Sequence, residues 1–277
     1  MSYPVLHDYL ARLSDPGASN TSIWLDTEGR AQGRFFNCNM TSAFQPIRRL
    51  DDGQLLAYEG LARSVSLQDR GLHLWKLLDH AASDDESIEL DRLCRMLHAI
   101  NFFRQVEDDA SALYLKVHDR LLSAVSSNHG HAFQRILDAL GLPIARIVLQ
   151  LPRVTSQQGW LLNYVADNYR RNGFRLAVNA GGAREALALL ARMRPDVVKL
   201  DAREPGDEAD LVTLLRRCQA EQIGVVFKRL DSPAALEFLR RIGDVAGVPV
   251  HAQGYLLDEP AASLPLRAQA LPISAAA

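Results

Sequence analysis

AFQPIRRLDDGQLLAYEGLAR, residues 43–63, decides the fold. Two strand-like runs, 43–50 and 54–63, flank Asp51, Asp52 and Gly53. A link that short joins neighbouring antiparallel strands, because a parallel crossover needs about a dozen residues or more. Working outward, six further strand-like runs follow at 112–118, 146–152, 174–180, 196–202, 223–230 and 248–257. Between most of them apolar residues recur every three or four positions, which predicts helices over 87–103, 131–141, 160–173, 183–193, 208–222 and 233–243. Gly141, Gly173 and Gly243 are placed to stop three of these helices.

Strands alternating with helices predict an α/β chain with a mostly parallel sheet. An open doubly wound sheet usually carries a glycine-rich phosphate turn after its first strand. A hairpin stands there instead, so the expected fold is a modified TIM-type (β/α)8 barrel with an antiparallel first strand. The barrel is assigned to residues 41–262. Residues 1–40 form a short N-terminal arm: a helix over 3–14, a break at Ser14–Asn20, and a hairpin around Asp26-Thr27-Glu28-Gly29. Residues 263–277 read as a flexible tail.

The 277 residues carry a net charge of -2, with 48% hydrophobic and 23% charged side chains, ordinary values for a globular protein. No long basic block marks a nucleic-acid footprint, so no nucleic-acid partner is expected. No apolar run reaches the ~20 residues that cross a bilayer, so membrane insertion is not expected either. Cys38, Cys94 and Cys218 are too far apart in sequence for a metal pair or a disulfide framework, which suggests a reducing compartment, the cytoplasm. No GxSxG elbow and no zinc-spaced histidines are present.

Barrel chemistry sits at the carboxyl ends of the strands. Those ends carry Glu59, Lys116, Gln150, Asn179, Lys199 and Lys228: one carboxylate, three lysines and two amides. Each alone reads as a structural polar residue. Six in corresponding places point to one polar layer, because buried polar groups are costly unless paired.

FQPIRRL and YEGLAR, followed by PDVVKLD and AQGYLLDEP, resemble the signatures of the EAL domain, the family of cyclic di-GMP phosphodiesterases and their non-enzymatic relatives. The resemblance spans roughly residues 41–260 and implies a barrel whose first strand is antiparallel. Active members hold two divalent cations on carboxylates and an asparagine. By this resemblance Glu59 matches a metal-binding glutamate, Lys199 the lysine near the attacking water, and Gln253 a late glutamine. Lys116 stands for the metal-binding asparagine, Gln150 for a glutamate, Asn179 and Ala180 for the paired aspartates, and Lys228 for the glutamate of the seventh strand. Lysine places a positive charge where a cation belongs. The resemblance therefore implies no bound metal, no cofactor and no hydrolysis, with Lys116 and Lys228 expected to replace the ions and pair with Glu59.

Two functions follow. The favoured one is a catalytically inactive regulator in bacterial signalling that acts by contact with another regulatory protein, with the aromatics Tyr9, Trp24, Phe35 and Phe36 of the arm as either interface or packing. The alternative is a metal-independent cyclic di-GMP receptor that uses Gln45, Leu61, Arg63, Asp91, Gln253 and Pro260, with Arg63 matching an arginine that contacts a ligand phosphate. The resemblance also allows a homodimer through the region after strands five and six.

Overall fold

The computed structural model describes residues 3–14, 22–36, 38–65, 83–106, 110–118, 129–153 and 159–265. The break after Ser14, residues 66–82 after β4 and the tail beyond Pro265 lie outside the described residues.

Eight strands close into a barrel: β3 (Cys38–Arg49), β4 (Leu55–Ser64), β5 (Ala112–Lys116), β6 (Ile147–Leu151), β7 (Arg175–Ala180), β8 (Val197–Asp201), β9 (Gly224–Lys228) and β10 (His251–Ala252). β3 runs antiparallel to both neighbours, β4 and β10, and all other barrel pairings are parallel. The hairpin around Gly53 is thus the one the sequence predicts, and it sets the barrel's single reversed strand.

In the arm, α1 (Pro4–Leu13) precedes β1 (Ile23–Leu25) and β2 (Ala31–Phe35), a hairpin added to β3. Its turn is made by Asp26, whose Oδ1 accepts the amides of Glu28 and Arg30 at 2.9 Å each. Tyr3, just before α1, packs edge-on against Phe103, with ring centroids 5.1 Å apart. Phe35 is buried, while Phe36 stands 63% exposed.

Among the described residues the remaining α-helices are α2 (Asp84–Phe103), α3 (His129–Ala139), α4 (Gly159–Arg171), α5 (Ala183–Leu190), α6 (Glu208–Ala220) and α7 (Pro233–Ala246). α2 starts on a capping box: Ser83 Oγ accepts from the Glu86 amide, and the Ser83 amide donates to Glu86 Oε2 at 2.6 Å. Gly141 and Gly173 take the left-handed φ of helix stops, +65° and +81°. Gly243 does not. It lies inside α7, and Gly247 ends that helix with φ +68°. Gly243 is instead a close-packing position, because a Cβ there would sit 2.8 Å from Val250 Cγ2.

Strand alternation divides the core in two. One set of side chains packs outward under the helices. The other fills the barrel, where Ile47, Ala57, Tyr114, Val148, Ala177, Val197 and Val226 form an apolar plug. Two residues along β6, β7, β8 and β9, with the same side-chain parity, stand Gln150, Asn179, Lys199 and Lys228. The last predicted strand is shorter than expected. β10 holds only two residues, because the chain turns at Gly254, where a Cβ would collide with the Leu230 backbone. A bridge between Phe44 and Ala261 completes the closure.

Candidate functional site

Register sets the polar layer. Gln45 pairs with Glu59 across β3 and β4, Lys116 with Gln150, Asn179 with Lys199, and Asp201 with Lys228. At its centre Lys199 is fully buried and flanked on β8 by Val198 and Leu200, themselves buried. Its Nζ donates to Glu59 Oε2 at 2.7 Å, Gln150 Oε1 at 2.7 Å and Gln253 Oε1 at 2.9 Å. An ammonium has three donors, so all three are used. The Tyr114 ring lies beneath, 5.3 Å from Nζ to the centroid. Gln253 Nε2 returns to Glu59 Oε2 at 2.6 Å and to Gln45 Oε1 at 3.2 Å. Burial pushes the Glu59 carboxyl up. The Lys199 charge and the hydrogen bonds from Lys199 and Gln253 outweigh it and hold the group below the usual carboxylate range.

The expected compensation thus takes a different form. Glu59 pairs with Lys199. Lys228 Nζ donates to Asn179 Oδ1 at 2.7 Å, and Asn179 Nδ2 donates to the Leu151 carbonyl at 2.8 Å. Burial lowers Lys228 to about 8, helped by the charges of Lys199 and Arg229 and opposed by Glu59 and Asp201. Lys116 is exposed at the cavity wall.

Above this layer opens a cavity of about 870 Å³. Gln45, Glu59, Leu61, Lys116, Gln150, Asn179, Lys228, Gln253 and Pro260 all line it. Lys199 lies under its floor. Ala180 is buried, one residue past Asn179 and so on the opposite face of β7. Arg63 and Asp91 are not among the lining residues. Arg63 donates to the Ala62 carbonyl at 3.0 Å, and its charge bears on His98 of α2. Asp91 is buried in α2, where it pairs with Arg95 and accepts the His118 amide at 2.9 Å.

The cavity also carries residues that sequence reasoning missed: Arg153, Arg203, Arg229, Asp231 and Tyr255. Arg153 pairs with Glu185, which also accepts the Gly181 amide at 3.1 Å. The Gly181–Gly182 turn before α5 is therefore closed by its own side chains rather than held open for an anion. Asp201 gathers Arg203 and Arg229, and the Arg203 hydrogen bond leads in holding its carboxyl far below the usual range. The signal for these residues is their adjacency to strand ends, as in Asp201-Ala202-Arg203 and Lys228-Arg229.

Five cationic residues and two carboxylates line the cavity, and Glu59 is neutralised from below by Lys199. A divalent cation does not suit this donor set. Glu59 Oε2 already accepts from Lys199 and Gln253, Asn179 Oδ1 faces an ammonium, and among the described residues no three His, Cys, Asp or Glu side chains come together.

No curated protein sequence matches the chain. Solved structures similar to it include the Klebsiella pneumoniae BlrP1 complex with manganese and cyclic di-GMP, at 21% identity and a TM-score of 0.64, covering 80% of this chain and 56% of that one. A standalone EAL protein from Vibrio cholerae in a cyclic di-GMP-bound form gives 21% identity and 0.62, covering 86% and 98%. BlrP1 with FMN and cyclic di-GMP and no metal ions gives 18% identity and 0.60, covering 81% and 54%. The chain spans little more than half the length of BlrP1. At these identities the likeness is one of fold. The EAL domain profile matches residues 29–260, well over half of the sequence, and the chain belongs to the EAL domain family.

Proposed function

We propose that this protein binds cyclic di-GMP in the mouth cavity without a metal ion and does not hydrolyse it. One observation carries the reading: lysine ammonium groups already occupy Glu59 Oε2 and Asn179 Oδ1, where a metal ion would need free oxygens, while lysine and arginine side chains line the space above. An anionic dinucleotide finds its counter-charge there directly. About 870 Å³ lies within the ordinary range of roughly 300–1,000 Å³ for ligand pockets. A metal-free cyclic di-GMP complex exists for BlrP1, which has a similar fold. The donor set supports the absence of hydrolysis, because Glu59 Oε2 and Asn179 Oδ1 are already taken up by lysine and suit the two-metal route poorly.

Calorimetric titration with cyclic di-GMP tests this, once with EDTA and once with manganese. Saturable binding in EDTA and intact dinucleotide after incubation with manganese are expected. No binding under either condition overturns the reading. So does turnover that Glu59→Ala abolishes.

Contact with another regulatory protein is a second role, favoured by one surface observation. Trp160 and Tyr164, one turn apart on α4, are 68% and 53% exposed. Cross-links to a partner that map onto α4 and vanish in Trp160→Ser support it, and cross-links confined to other faces count against it.

A further inference from the structure

The cationic residues on the β8 and β9 side of the cavity differ from the rest in how they are held. Asp201 ends β8, opposite Lys228 of β9. Its Oδ1 accepts from Arg203 Nε at 2.9 Å, and its Oδ2 from Arg203 Nη2 at 2.7 Å and Arg229 Nη1 at 3.1 Å. One carboxylate thus orients two guanidinium groups. A guanidinium carries five donors. These bonds use two on Arg203 and one on Arg229, and both side chains remain more than half exposed along the cavity.

Arg229 is also held in an unusual backbone state. Its φ is +60°, the left-handed region that a residue with a Cβ enters at a cost. Backbone hydrogen bonds on both sides impose it. The Lys228 carbonyl accepts from the Ala202 amide at 2.8 Å, and the Leu230 amide donates to the Gln253 carbonyl at 3.0 Å. The residue suited to that conformation is glycine. The conformation sets the direction in which the arginine leaves β9, beside Lys228 and above Asp201.

We propose that Lys228, Arg229 and Arg203 form a phosphodiester subsite, with Asp201 as the positioning residue that aims both guanidinium groups. The proposal rests on the reading above and makes it specific: the phosphate goes to this side of the mouth and not to Arg63. Two planar forks and an ammonium match the two non-bridging oxygens of a phosphodiester, which accept bidentate, charge-assisted hydrogen bonds. Asp231 also lines this side, but its Oδ1 accepts the Tyr255 amide at 3.2 Å.

The test is calorimetry with cyclic di-GMP in EDTA on the parent chain and on Arg203→Ala, Arg229→Gly, Arg63→Ala and Asp201→Ala, with thermal melting of each ligand-free protein. Arg203→Ala and Arg229→Gly should each weaken binding by roughly tenfold or more. Arg229→Gly should do so without lowering the melting temperature, because glycine relieves the backbone while removing the charge. That pairing separates lost recognition from lost folding. Arg63→Ala should stay within about threefold of the parent. Asp201→Ala should weaken binding, and Asp201→Glu should recover part of the loss. If the parent binds and Arg203→Ala and Arg229→Gly bind equally well, the subsite is wrong and the receptor reading stands. If the parent does not bind, both fall.

Discussion

Two clusters built on one carboxylate each share strand β8, with Lys199 under the cavity floor and Asp201 two residues on, at the rim. Lys199 is fully buried beneath Glu59, which lines the cavity, and every donor of the ammonium is used. Asp201 and its two arginines stand at the rim, with donors to spare. The contrast teaches that an ion pair's role follows from its remaining valence more than from its strength. The inner cluster ties β4, β6 and β8 together across the barrel. The outer one keeps charge available for something else.

The largest expected effect breaks the inner cluster. Lys199→Met should strand Glu59 beside two amides and cost about 3–5 kcal/mol in urea unfolding. Combining it with Glu59→Gln should recover much of that loss. A Lys199→Met protein with an unchanged urea midpoint would show that the network is not structural.

Acid sharpens the comparison from a neighbouring element. Burial, with Arg63 close by, lowers His98 to about 3, and its Nδ1 lies 2.8 Å from Ser42 Oγ. Below a pH of about 6.5 the unfolded chain takes up a proton there that the native chain refuses. Stability should therefore fall as pH drops from that value toward 3, by at most about 1.4 kcal/mol per pH unit. Urea midpoints measured between pH 7 and 5 should show the decline, and His98→Asn should flatten it.

Lys228 links the two clusters. Its ammonium is present below about pH 8 and is lost as pH rises through that value. Cyclic di-GMP affinity should fall several-fold between pH 7 and 9, and Lys228→Met should remove most of that dependence. The smallest effect belongs to the outer cluster in the absence of ligand. Asp201→Asn should leave the urea midpoint within error, because its partners are largely exposed. A large shift would make the rim structural and erase the contrast.

The barrel was legible because alternation is strict: in VVKLD the lysine shares a face with Val197 and Asp201, so its place in the polar layer can be read directly. Its partner was not legible. Lys199 and Glu59 are 140 residues apart, and only closure of the barrel decides that Lys199, rather than Lys116 or Lys228, reaches the carboxylate. Arg203 and Arg229 escaped notice because loops carry no periodicity and a left-handed arginine leaves no mark in the sequence. In sequence Gly243 reads as a helix stop because close packing and capping both favour glycine, and only the backbone angle at Gly247 tells them apart.

The short β10 seam has a consequence for biosynthesis. A nascent chain that has cleared the ribosome through Lys228 already contains Lys199, Glu59 and Gln150, but not Gln253, which lies 54 residues beyond Lys199. It also lacks Asp258, the carboxylate that Arg48 holds from 210 residues away. Until that last segment emerges, the central ammonium is one acceptor short and Arg48 lacks the Asp258 carboxylate. The polar layer therefore cannot close before translation has passed Asp258, because two of its long-range partners, Gln253 and Asp258, are among the last residues of the barrel to be made.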